Sequence, residues 1–180
     1  MTSGRSALAG LAVKGAPLRV RFLPHLTAWR GRLLEANERG QPVHAGSFPR
    51  RRLIILDAEL RKRPRELERI LTHELLHFAW PRLGNALRRS WEQVLADEMR
   101  CGARGELGWS AEWRKAKLSA EDWRGRTRRW REYACESFSD TAALLWTGRR
   151  VHDEFTLAAR YCASRKRWFL ANLGGRQIPI

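Results

Sequence analysis

Cysteine is scarce. Three residues, Cys101, Cys135 and Cys162, form no C-x-x-C pair. An odd number leaves one thiol unpaired under any disulfide scheme, which argues against a disulfide framework and for a reducing compartment. Long apolar runs are missing too: no stretch approaches the roughly 20 apolar residues that span a bilayer. The segment Ser6 to Val13 is short and cut off by Lys14, so it does not read as a secretory signal. There is no internal repeat and no low-complexity segment. These absences read as a soluble, cytoplasmic chain without a transmembrane segment. Acidic residues are in deficit, with 19 Asp and Glu against 35 Lys and Arg, for a formal net charge of +16. Such an excess favours anionic partners, among them nucleic acid, acidic protein segments and anionic membrane surfaces.

What is there suffices for one domain. The chain has 180 residues, 43% of them hydrophobic, enough for a substantial core. Residues 1–16 are small and Gly/Ala-rich and read as a frayed end with at most a short helix. Leu18 to Leu23 alternates apolar and basic residues with period two, as a half-buried strand does, and Pro24 ends it. Residues 27–38 are ambiguous: Trp29, Leu33 and Leu34 fit one helical face, against which Gly31 counts. Gly40 and Pro42 mark a turn. Val43 to Phe48 reads as a short edge strand pairing with Leu53 to Leu56, a continuous apolar run.

Residues 65–80 hold His73-Glu74-Leu75-Leu76-His77, an H-E-x-x-H motif. On a helix, positions four apart lie one above the other, so both imidazoles can reach one Zn²⁺. Glu74 falls about 100° round the helix from His73, beside the metal, where its carboxylate can take a proton from an activated water. Leu67, Leu71, Leu75 and Phe78 make an apolar stripe away from the histidines. Pro64 suits the first turn and Pro81 stops the run.

Beyond Pro81, residues 82–131 carry Trp91, Trp109, Trp113, Trp123 and Trp130 among many Arg and Lys residues. Ser90 to Met99 reads as a helix with Ser90 as its N-cap. Gly102, Gly105 and Gly108 make a loop. Ser110 to Lys117 and Ala120 to Arg131 read as helices, with Trp113, Trp123 and Trp130 as packing anchors. Aromatics interleaved with basic residues also suit single-stranded nucleic acid. A helix through residues 132–146 closes at Gly148, and a basic amphipathic helix follows from His152 to about Leu173.

Two histidines leave a zinc site incomplete. The sixth position after His77 is Leu83, not a third histidine. The remaining candidates are His152, the one downstream histidine, and Glu136, which stands four residues before Asp140 on one helical face. That spacing lets Glu136 ligate while Asp140 accepts a hydrogen bond from a histidine's other nitrogen.

With Glu136, Ser139 and Asp140 forming E-x-x-S-D after H-E-x-x-H, the sequence resembles the gluzincin metallopeptidases, thermolysin-like enzymes above all. The resemblance covers the motif helix, the strand before it and the second helix. Glu136 lies much farther beyond His77 than in thermolysin-like enzymes, so the Trp-rich segment at about 82–131 stands as an insertion. The short chain is similar to the small single-domain zincins called minigluzincins. The resemblance implies one Zn²⁺ on His73, His77 and Glu136, Glu74 as general base, and Asp140 behind His73. In SprT-like proteases, which act on DNA-bound proteins, a histidine is the third ligand, and His152 would serve.

The expected fold is α+β and zincin-like, one domain over 1–180. A small mixed sheet packs its edge strand on the active-site helix, and several helices follow. The expected function is zinc-dependent hydrolysis of a peptide or protein laid along the edge strand, with Tyr133 or His152 as oxyanion donor. An insertion or terminus in the cleft would make such an enzyme latent. The alternative is a nucleic-acid-associated protein, either a SprT-like protease or a non-catalytic zinc-containing binder.

Overall fold

A computed structural model describes residues 12–30, 32–35, 40–149 and 151–180. It is a mixed α+β structure with three small sheets and six helices among those residues. Strand β1 (Val13–Lys14) pairs in parallel with a C-terminal strand, β8 (Ile178–Pro179). Residues 13–16 are therefore not helical, and residues 1–11 lie outside the described part.

Strand β2 (Arg19–Leu23) follows the alternating stretch. Residues 26–35 then form a hairpin of β3 (Leu26–Trp29) and β4 (Arg32–Glu35), with Leu26 opposite Glu35 and Trp29 opposite Arg32. This resolves the ambiguity of 27–38 in favour of strands over the described part; residues 31 and 36–38 lie outside the described residues. The chain enters the turn through Arg30 in a left-handed conformation, φ 47°. Strand β5 (Gln41–Pro42) pairs with the other edge of β3.

Strand β6 (Ala45–Phe48) runs antiparallel to β7 (Leu53–Asp57), which pairs in parallel with β2. The order β2-β7-β6 leaves β6 at an edge, and no strand among the described residues pairs with its outer side. Arg52 makes the turn into β7 in a left-handed conformation, φ 49°. Ile54 and Leu56 of β7 are fully buried, as the unbroken apolar run predicts.

A short 3-10 turn, Ala58–Lys62, leads into α1 (Pro64–Ala79), with Pro64 in the first turn as expected. Ile70 and Phe78 of α1 pack with Ile54, Leu56 and Leu60, with Leu67 and Leu71 alongside, and this joins helix to sheet. Leu75 turns instead to the helical core.

Helix α2 (Asn85–Arg100) starts earlier than the sequence suggested. Ser90 is not its cap: the hydroxyl lies inside the helix and donates to the Leu87 carbonyl. Helices α3 (Trp109–Lys115), α4 (Ala120–Arg124) and α5 (Arg128–Thr147) follow. Ser119 and Asp122 form a capping box on α4, Thr127 caps α5, and Gly148 ends α5 at φ 64°.

The last helix, α6, spans Ala159–Leu173, so residues 151–158, His152 included, are loop and not helix. The cause is tertiary. The amides of Thr156 and Leu157 both bond to the Glu106 carbonyl, which holds this stretch out of the helical ladder.

The main core lies between α1, α2, α5 and α6, around Trp91, Trp130, Phe138 and Phe169. The Trp-rich segment thus contributes to the centre of the domain. Trp91 and Trp130 are buried and Trp123 is half-buried, but Trp113 is 60% and Trp109 is 64% exposed. Trp113 is accordingly not a packing anchor. No helix of the described residues is long and apolar enough to cross a membrane.

Candidate metal centre

Helices α1 and α5 pack side by side and bring two distant stretches of sequence together. His73 and His77, one turn apart, present their rings edge-on with centroids 4.8 Å apart. Their Nε2 atoms are 3.0 Å apart. From α5, Glu136 places Oε2 at 3.3 Å from His73 Nε2 and 3.7 Å from His77 Nε2. Donors bound tetrahedrally to one Zn²⁺ at ~2.0–2.1 Å would stand ~3.3–3.4 Å apart. The three atoms are close to that spacing and converge on one point.

The groups behind the donors fix their orientation. Asp140 Oδ1 lies 2.7 Å from His73 Nδ1. With Nδ1–H donating to this carboxylate, the Nε2 lone pair of a neutral His73 is free for an ion. His77 Nδ1 lies 3.4 Å from the Cys135 sulfur, a weak acceptor that serves the same purpose. Burial pushes the Cys135 thiol pKa up, so it stays protonated. Burial would also raise Glu136, but the hydrogen bond with His73, the positive charges that His77 and His73 carry while no ion is bound and their rings are protonated, and Arg114 outweigh it and hold the carboxyl down to about 2. Glu136 is therefore an anionic donor. Two imidazole nitrogens and one carboxylate oxygen fit a borderline divalent ion such as zinc.

Arg114 of α3 was not foreseen. Its guanidinium lies 3.0 Å from Glu136 Oε1 and donates to the Ser110 carbonyl at 3.0 Å. This occupies one Glu136 oxygen and turns the other toward the histidines. Gly108, before α3, was foreseen only as a loop-former. An added Cβ there would stand 2.4 Å from the Asp140 carboxylate atoms. A side chain at 108 would push Asp140 off His73. Asp140 Oδ2 is buried without a partner, as is the hydroxyl of Ser139, the remaining member of E-x-x-S-D.

Glu74 is 8% exposed and lines a cleft of about 290 Å³ with His73, between α1 and residues 42–45 at the free edge. Trp109 of α3 closes the far wall. A larger cleft of about 780 Å³ shares His44, Trp109 and Glu154 with it and extends toward Arg63 and Arg149.

Two candidates fall elsewhere. Tyr133 is fully buried and donates to Glu106 at 2.5 Å, so its hydroxyl is committed away from the histidines. His152 joins Glu66 and Glu154 in a second group of possible donors, its Nε2 being 3.2 Å from Glu66. Glu66 lies seven residues before His73 on α1, about 10 Å along the axis. Arg69 bonds both carboxylates of that second group, at 2.9 Å to Glu154, and Arg149 adds a second guanidinium on Glu66. Those carboxylates are neutralised by arginine, and an ion there would have to displace it. The geometry thus brings Glu136, and not His152, to the two histidines. Compared with known proteins, the chain matches no family model, no curated protein and no solved structure.

Proposed function

We propose that the protein is a zinc metallopeptidase of zincin-like architecture, with one ion on His73, His77 and Glu136. The observation that carries this reading is the convergence of those three donors, next to a cleft against an unpaired strand edge that His73 and Glu74 line together. A bound zinc would supply Lewis acidity toward water and a substrate carbonyl. Glu74 takes the proton of the attacking water on its carboxylate and later delivers it to the leaving amine. Asp140 keeps His73 in one tautomer, Arg114 restrains Glu136, and Trp109 and Ser110 of α3 line one side of the cleft. The edge of β6 offers free backbone groups to an extended peptide, which would lie along it as an added strand.

The donor assignment is tested by metal content. Glu136→Ala will purify with far less than one zinc per chain, whereas His152→Ala will hold a full equivalent. The reverse result would hand the third position to His152. Cleavage of a peptide library, lost on chelation and restored by zinc, tests the activity. A stoichiometric zinc protein that cleaves no peptide would sink the peptidase reading.

Gly108→Ala probes the support of His73. The substitution will weaken zinc binding about 10–100-fold, the loss typical when the carboxylate behind a ligating histidine is disturbed. Gly84→Ala, where a Cβ meets nothing within 4 Å, will leave it unchanged. Competition with a chromophoric chelator measures both.

A further inference from the structure

On the side of the helical layer formed by α2 and α4, a groove of about 390 Å³ runs between them and the residues before α5. Arg89, Arg100, Arg124 and Arg126 line it, against a single lining carboxylate, Glu92. Glu92 is buried and engaged by Arg126, which bonds both its oxygens. Arg100 pairs with the exposed Asp97. Arg89 and Arg124 are exposed and form no ion pair among the described residues. The groove is therefore strongly cationic even after its internal pairs are counted.

Two indoles, Trp123 and the buried Trp130, are among its lining residues. Trp123 is half-buried, with the guanidinium carbons of Arg124 and Arg100 at 5.2 and 5.4 Å from its ring. Arg126 adopts φ 49°, a left-handed conformation that a non-glycine residue holds only when its surroundings enforce it. The same residue grips Glu92 through both carboxylate oxygens.

We propose that this groove binds single-stranded nucleic acid, with one base on the Trp123 ring and successive phosphates on Arg89, Arg100 and Arg124. Guanidinium groups match phosphate geometry, and an indole face accepts any unstacked base. A duplex keeps its bases stacked and offers Trp123 nothing. An acidic peptide would satisfy the arginines but leave the indole unused. The formal charge of +16 adds a long-range attraction for a polyanion. Apart from Trp130, which shares α5 with Glu136, the residues lining the groove lie on elements other than those of the proposed zinc donors, and the inference does not depend on peptidase activity.

The test is a titration of the full chain with a fluorescein-labelled deoxythymidine 12-mer over a salt series. Three phosphate contacts predict a log–log salt slope of about −2 for a single strand. Arg89→Gln/Arg124→Gln, two exposed changes, will weaken binding at least about tenfold and bring the slope nearer zero by about 1.4. Trp123→Ala will weaken it about tenfold while Trp123→Phe keeps most of it, which separates stacking from folding. Arg63→Gln/Arg65→Gln, beside the other cleft, will change little. Equal losses from both arginine pairs would overturn the proposal, because binding would then be spread over the surface. So would an oligoglutamate that competes as well as the oligonucleotide, or an absence of oligonucleotide binding at low salt.

Discussion

Glu74→Gln will keep its zinc and lose peptide hydrolysis by about 10²–10⁴-fold, the usual worth of a positioned general base. The two outcomes separate because the residue stands beside the donors and is not one of them. The atoms that converge are His73 Nε2, His77 Nε2 and Glu136 Oε2. Glu74 instead lines the cleft where a peptide would lie. Glutamine has the same shape, so packing around this 8% exposed side chain is preserved. What it cannot do is accept a proton. Turnover of a quenched fluorescent peptide, with zinc content measured on the same sample, reads both halves. A glutamine variant as active as wild type would mean that another group takes the proton. A variant that loses zinc would make Glu74 a ligand, which its position does not support.

The residues of the candidate site were unevenly legible in the sequence. The motif helix was plain, because a strict i, i+4 pair between two prolines needs only local rules. Glu136 and Asp140 were legible for the same reason, as a pair on one helical face. Their meeting with His73 across the long intervening segment required a resemblance, since spacing alone does not specify which helices pack. Arg114 carried no signal at all: it is one basic residue in a segment full of them, and only the packing of α3 on α5 singles it out. Gly108 looked like a loop glycine, although its φ of −175° is open to any residue and what it supplies is room. The hairpin at Leu26–Glu35 is ambiguous in the sequence because Trp29, Leu33 and Leu34 suit a helical face as well as strands. Pairing with β5 decided it, a contact that local pattern does not contain. His152 was drawn into a helix because nothing nearby breaks one. Two hydrogen bonds to Glu106, far away in sequence, did so.

Arg165→Leu will destabilise the fold by about 3–5 kcal/mol, the cost of stranding buried charge. That is a large share of the ~5–15 kcal/mol that holds a typical domain together. Arg165 is completely buried on α6 and bonds two carboxylates at once. Its Nη2 lies 2.6 Å from Glu98 Oε2, and Nη1 lies 2.7 Å from Glu106 Oε2. Glu106 also takes the Tyr133 hydroxyl and stands 3.1 Å from Lys115. Burial would raise Glu106, but Arg165 first, then Lys115 and Tyr133, hold its pKa down to about 2. A depressed folded pKa stabilises the fold above the ordinary carboxylate value and loses that contribution as pH falls from about 4.5 toward 2. Glu98 runs the other way: burial keeps it raised despite Arg165, so it offsets part of that loss. Without the guanidinium, both carboxyls face each other in the core with only Lys115 near Glu106, and both folded pKa values rise above their unfolded ones. The sign then reverses, and the variant gains stability as pH falls. Urea unfolding at pH 7 and pH 5 distinguishes the cases: the leucine variant's deficit will shrink at the lower pH. Adding Glu98→Gln and Glu106→Gln to Arg165→Leu will recover much of it at pH 7, because the stranded charges are gone. A deficit independent of pH would assign the cost to lost packing alone. The stakes reach the metal centre, because Ser137, beside Glu136 on α5, also bonds to Glu106, at 3.4 Å. The loop from Glu106 to Gly108 then carries straight to Asp140. Loosening Glu106 therefore loosens the carboxylate that holds His73, and the leucine variant will bind zinc more weakly even where it remains folded.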